Sequence, residues 1–430
     1  MIGLLLTGPS STMPPPEFML PSRAAKAPSP LRVAFIGNAL PRRCGIATFT
    51  TDLEQAVRAL PDVAETAIIA MNDPGSRYAY PLKVRRIIRQ NVRGDYRAAA
   101  DFITEQNFDA ACLQHEFGIF GGPAGDYVLD LVHALRVPLI TTLHTVLAQP
   151  TPDQARVMAG LLAASAQVVV MARKGREMLI DTYGADPAKI TIIPHGIPDV
   201  PWVPAAVGKH RLGYIGRQVI LTFGLIGPSK GIEAMIEAMP AILARVPHAV
   251  YVVMGATHPH LLRSGEDSYR DGLIARAQAL GLGDHVVFIN RFMERPELIE
   301  HIGMCDVYVT PYQDEVQMTS GTLATSHGLG RAVVSTPYWH AAELLGDGSG
   351  VLVPFGDGAA LGRAVADLLE DNHARITLAI RAYAASRAMT WPNTARRYAE
   401  TFRACAPVLQ PPLLQPPHLQ PWPSAIGSLR

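Results

Sequence analysis

Short apolar runs alternate with amphipathic stretches of helical length along most of the chain. Residues 32–37, 110–114, 139–143, 167–172 and 190–193 read as strands, each nearly continuous in apolar side chains and too short for a helix. Residues 46–60 and 127–135 place apolar side chains three and four apart, the spacing of a helix with one buried face. The pattern stops over 194–217, where Pro198, Pro201, Pro204 and several glycines predict a linker. It then restarts. Residues 219–223, 250–254, 286–289, 307–310, 333–335 and 351–353 read as strands, separated by helical stretches such as 232–244 and 269–280.

Strand–helix repetition predicts parallel sheets with right-handed crossovers, and the break in the middle predicts two of them. The expected fold class is α/β, with two Rossmann-like halves. Open parallel sheets bind ligands beyond the carboxyl ends of their strands, so loops after strands in both halves should line one cleft.

Composition narrows the class. At 430 residues the chain is too long for a single small core. Lys and Arg number 38 against 37 Asp and Glu, a net charge of +1 that lacks the basic surplus of a nucleic-acid binder. The mean hydropathy of +0.14 raises the question of a membrane, but no apolar run approaches the ~20 residues of a spanning helix. No transmembrane segment is expected, and peripheral membrane contact is left open. Cys44, Cys112, Cys305 and Cys405 show no metal-site or disulfide spacing, which fits a reducing, cytoplasmic setting. Both ends, 1–30 and 406–430, are rich in Pro, and they are expected to be disordered tails. The apolar start at 1–6 lacks the basic flank of a signal peptide.

Candidate chemistry clusters in loops that follow predicted strands. Gly45, after Arg43 and Cys44, lets a ligand approach the backbone at a helix start. Gly224 and Lys230 flank a second such loop, where a lysine at the mouth of a helix suits phosphate. Thr319, Ser320, Gly321 and Thr322 precede a third helix, and their hydroxyls can hold phosphate oxygens or simply cap it. Arg43 on the first loop, and His144 and the pair His115 and Glu116 just past strands of the first half, are candidates for acceptor binding. Arg291 follows a strand of the second half and is a candidate for the donor pocket.

The order of Arg43-Cys44-Gly45-Ile46-Ala47, His144, Ile193-Pro194-His195-Gly196-Ile197, Gly224, Lys230-Gly231, Asp306 to Pro311, Gly330-Arg331-Ala332-Val333-Val334, Glu343 and Trp391 resembles the retaining glycosyltransferases of family 4, with the GT-B fold. The resemblance implies two Rossmann-like domains facing a central cleft: an acceptor domain over 31–205, a donor domain over 206–390, and a helix over 391–405 that returns to the first. It implies transfer of a sugar from a nucleotide-sugar co-substrate to a saccharide or other hydroxyl acceptor, without a metal or other cofactor. Lys230 would hold the donor diphosphate, residues 319–322 phosphate and sugar hydroxyls, and Glu343 the donor or the closed cleft. His144 is expected to act with them.

The chain departs from the family at three positions. Leu225 stands where the family has an arginine, and Gln317 and Thr325 stand where it has two glutamates with seven residues between them, with Glu315 out of register. Gln317 is expected at the catalytic and donor site and Thr325 at the donor site, as hydroxyl-binding groups without charge. The departures keep two alternatives in view. One is a glycoside phosphorylase using inorganic phosphate; the other is an inactive GT-B protein that binds a glycan or a partner.

Overall fold

The computed structural model describes residues 29–258, 261–262 and 267–406. Most of the two expected tails lies outside the described residues.

The first half builds a seven-stranded sheet from β1 (Leu31–Gly37), β2 (Val63–Asn72), β3 (Val84–Arg89), β4 (Ala110–His115), β5 (Leu139–Leu143), β6 (Gln167–Val170) and β7 (Ile190–Ile192). Their order is β3-β2-β1-β4-β5-β6-β7, and every pairing is parallel. The second half repeats the design with β8 (Gln218–Phe223), β9 (Ala249–Met254), β10 (Val286–Ile289), β11 (Val307–Thr310), β12 (Ala332–Ser335) and β13 (Val351–Leu352), in the order β10-β9-β8-β11-β12-β13. Central strands such as β9 are buried along their whole length, because helices cover both faces of the sheet.

Each sheet therefore separates two apolar cores. In the first half Ile36, Ile69 and Leu113 face one layer, and Phe35, Leu53 and Ile68 face the other. Helix α1 (Gly45–Arg58) buries Phe49, Leu53 and Val57 on one side, at the spacing the sequence predicts. The last helix, α14 (Trp391–Cys405), packs into the same layer as α1. Phe402 meets Phe35 edge-on at 6.1 Å, and the Tyr398 hydroxyl lies 2.9 Å from Thr142 Oγ1. The chain thus crosses back, pinned where Ile197 and Thr390 bridge.

Two features differ from the sequence expectation. Strands β2 and β3 are not among those the apolar pattern predicts. The presumed linker also contains a helix, α6 (Ala205–Leu212), bounded by Pro204 and by Gly213 in the left-handed conformation at φ +80°. Proline before and glycine after a run of helix formers are start and stop signals. The run between them is short enough to pass for a loop.

Candidate active site

The carboxyl ends of both sheets face a cleft of about 440 Å³. From the first half, Gly45, Phe49 and Asp52 on α1 line it, together with Glu116, His144 and His195. The second half contributes Gly224 and Leu225 after β8, Arg291 to Arg295 after β10, and Gln317, Thr319, Gly321, Thr322 and Thr325. Trp391 closes the floor.

The hydroxyl loop is built by helix α10 (Gly321–Gly328). Ser320 is its N-cap, its hydroxyl accepting from Leu323 N at 3.3 Å, and Ser320 N donates to His340 Nδ1 at 2.9 Å. A side chain at Gly321 would come within 2.9 Å of His195 Nε2, so this position keeps the helix start open to the opposite half. The Thr319 hydroxyl is buried without a hydrogen-bond partner among the described residues, which leaves it available to a ligand. Gln317 Nε2 donates to Thr319 O at 2.6 Å, leaving its carbonyl oxygen as the acceptor. Thr325 donates to Gly321 O at 2.7 Å.

Lys230 does not itself line the cleft. Its ammonium donates to the Tyr312 hydroxyl at 2.7 Å, and that hydroxyl is 3.4 Å from both Ser320 Oγ and Thr322 Oγ1. The cation therefore stands one hydroxyl behind the start of α10. Gly231 holds it there: its φ is +65°, and a Cβ would overlap the Pro311 carbonyl oxygen.

On the acceptor side, His144 Nε2 is 3.0 Å from Gln114 Oε1, while Gln114 Nε2 points to Cys112 Sγ at 3.2 Å. This network assigns the proton to Nε2 and leaves Nδ1 as an acceptor. The ring meets Phe49 edge-on at 4.9 Å, and His195 meets the same phenyl at 5.0 Å. Burial pushes His144 down to about 3, His195 to about 4 and His340 to about 3, so all three are neutral at physiological pH. Burial pushes the Glu116 carboxyl upward, opposed by the Thr145 hydroxyl and Phe117 N.

His115 is corrected by the structure. Consecutive strand residues face opposite ways. Glu116 reaches the cleft, whereas His115 is fully buried between Phe117 and Phe120, with no partner for either ring nitrogen among the described residues. Arg43 is exposed on its loop and is absent from the cleft wall. Arg291, on the wall, is paired with Glu297. Glu343 binds across the halves instead of lining the cleft: its carboxylate accepts from Arg173 N at 2.8 and 2.9 Å, at the start of α5 (Arg173–Tyr183). Sequence reasoning missed Asp52, whose partner across the cleft is Arg295, and it missed Tyr312. Tyr312 follows directly on Pro311 after β11, and this strand-end position was the available signal.

Residues 44–199 match the family described as Glycosyltransferase Family 4, and residues 214–385 match the one described as Glycosyl transferases group 1. Each half of the chain thus matches a glycosyltransferase family. The halves matched are the two sheets described above. Among similar curated proteins, the D-inositol 3-phosphate glycosyltransferase of Kineococcus radiotolerans is 29% identical over 62% of this chain and 66% of its own length. The GDP-mannose-dependent alpha-(1-6)-phosphatidylinositol monomannoside mannosyltransferase of Mycolicibacterium smegmatis is 27% identical over 47% and 53%. The chain therefore spans less than two thirds of the length of these curated relatives. Its fold is shared by Anabaena HepE in complex with UDP, at 17% identity and a TM-score of 0.70 over 87% of this chain and 100% of that one. The sucrose-phosphate synthase of Thermosynechococcus elongatus gives 18% and 0.70 over 87% and 98%. Among the described residues no helix is long and apolar enough to cross a membrane.

Proposed function

We propose that the protein transfers a sugar from a nucleotide-sugar donor to a hydroxyl of a saccharide or polyol acceptor, with retention at the anomeric carbon. The observation that carries this reading is the start of α10, where the helix-start backbone and the hydroxyls of Ser320, Thr322 and Tyr312 gather at one side of a cleft whose other wall is Gly45, with the Lys230 ammonium one hydroxyl behind them. Such a terminus is suited to a diphosphate leaving group, because the amides point at it and the helix dipole favours its charge. The names of the relatives fit this reading, since they include transferases using inositol phosphate and GDP-mannose and a neighbour holding UDP.

In the proposed mechanism the bond from anomeric carbon to phosphate oxygen breaks while the acceptor oxygen bonds the same face. The departing phosphate takes the acceptor's proton. The protein's part is positioning and charge stabilisation, which explains a site without a dedicated base. Lys230 and the amides of α10 stabilise the phosphate. The Gln317 carbonyl and the Thr319 hydroxyl hold sugar hydroxyls. His144 Nδ1 and Glu116 orient the acceptor, and the contacts Asp52–Arg295 and Glu343–Arg173 keep the halves together against water.

The test is a screen of UDP-, GDP- and ADP-sugars against saccharide and polyol acceptors, read by mass spectrometry and by the anomeric configuration of the product. A product of inverted configuration would refute the mechanism. One observation favours the phosphorylase alternative: no carboxylate occupies the positions of Gln317 and Thr325, and a donor without ribose needs none there. Release of sugar 1-phosphate from disaccharides and inorganic phosphate, with no nucleotide present, would decide for it.

A further inference from the structure

We propose that Tyr312 is a positioning residue of the leaving-group pocket: its phenol fixes the Lys230 ammonium against the start of α10 and makes it the cation centre of a pocket that has Leu225 in place of a second cation. This inference rests on the donor reading above and concerns how that site is held and how it responds to pH.

The geometry is that of a built site. Lys230 Nζ lies 2.7 Å from the phenol oxygen and 4.1 Å from the ring centroid, so both the oxygen and the π face fix the ammonium. The ring cannot swing away, because it stacks on Tyr338 at 4.6 Å with an interplanar angle of 15°, and Thr336 Oγ1 donates to Tyr312 O at 2.7 Å. The phenol oxygen accepts from the ammonium, so its own proton is directed to Ser320 Oγ or Thr322 Oγ1, each 3.4 Å away. Those hydroxyls are 3.1 Å apart, and Thr322 lines the cleft. Charge at Lys230 is thereby passed to the cleft through hydroxyls of fixed orientation. The other cleft cations are committed elsewhere, Arg291 to Glu297 and Arg295 to Asp52.

The groups facing the phenol set its response to pH. Burial opposes ionisation, but the Lys230 ammonium and the Ser320 and Thr322 hydroxyls outweigh it and bring the phenol down to about 8. Tyr338, stacked on it, and Tyr308 on β11 are raised far above the ordinary tyrosine range by burial, so they stay neutral. His340, reached through Ser320 N, is neutral as well. Above pH 8 the phenolate cancels the ammonium, and the pocket loses its attraction for a diphosphate. By reciprocity, a bound diphosphate raises the phenol's pKa.

The test is calorimetric titration of the full chain with UDP, GDP and ADP from pH 7 to 9.5, for the wild type and Tyr312→Phe. Wild-type affinity for whichever diphosphate binds is expected to fall on the order of tenfold across a transition near pH 8, the scale of one charge-assisted hydrogen bond. Tyr312→Phe should bind about tenfold more weakly at pH 7 and show no transition near pH 8. Identical pH profiles in the two proteins would overturn the positioning role while leaving the donor reading intact. Failure of the wild type to bind any of the three would overturn both. A second measurement needs no nucleotide: the ultraviolet absorbance of phenolate should reveal one tyrosine ionising near pH 8 in the wild type, displaced above 10 in Lys230→Ala. Its absence from the wild type would equally overturn the inference.

Discussion

Replacing Glu343 by alanine removes a contact that joins the two halves while touching neither core. Helix α5 follows Ala172, which has no side chain able to cap it, and the Glu343 carboxylate from the other half fills that place through Arg173 N and, at 3.4 Å, Lys174 N. Loss of a side-chain cap costs about 1 kcal/mol, and loss of an anion at a helix start a further ~0.3–1 kcal/mol. The Arg173 guanidinium adds little, because its side chain is 71% exposed and the pair is 3.5 Å apart. Glu343→Ala should therefore shift the balance between closed and open halves toward open by about tenfold to thirtyfold, whereas Arg173→Ala should leave it nearly unchanged. Hydrogen exchange at the amides of Arg173 and Lys174 reports the cap directly, and small-angle scattering reports the separation of the halves. If Arg173→Ala opened the molecule as much as Glu343→Ala, the backbone-capping argument would be wrong.

Lys230→Ala should lower donor turnover by at least a hundredfold with an unchanged circular dichroism spectrum, since the side chain is half-exposed and outside both cores; full activity would remove its assignment to phosphate. Gly231→Ala should lose activity through displacement of Lys230, and it should destabilise the second half by about 2–3 kcal/mol in urea unfolding, because an alanine there meets both a left-handed φ and the Pro311 carbonyl. The buried rings of His115 and His340, each held at about 3 against about 6.5 in the unfolded chain, make stability pH-dependent. The unfolded state binds more protons below pH 6.5, so this stability is complete above 6.5 and is lost as pH falls toward 3. At pH 5.5 the loss is about 1.4 kcal/mol for each ring. His340→Gln, which keeps an acceptor for Ser320 N, should flatten the dependence in denaturant titrations at pH 7.5 and 5.5.

The strands buried on both faces were legible as continuous apolar runs: β5 matches its expected bounds, and β8 and β9 differ by one residue at an end. Strand β3 was not legible. It is the sheet edge and carries Arg85, Arg86 and Arg89 on a partly solvated surface, so no apolar run marks it. In strand β2, Glu65 and Thr66 separate Val63 and Ala64 from the apolar stretch that follows, which blurs its start. In the site, loops that carry Gly and hydroxyls at helix starts announced themselves through local chemistry. Asp52 and Arg295 did not, because each looks like an ordinary helix charge until the halves are brought face to face. Tyr312 was hidden for the same reason: its partner Lys230 is 82 positions away.

The return of α14 gives the first half two origins in the chain. Phe35 and Thr142 are covered by Phe402 and Tyr398, which a ribosome delivers long after them, Tyr398 being 256 positions beyond Thr142. A fragment ending before Trp391 would leave an apolar wall uncovered on its first lobe, a surface that invites aggregation. Division of this protein for expression should therefore keep 391–405 joined to the amino-terminal portion, for example by a circular permutation that opens the chain between the lobes.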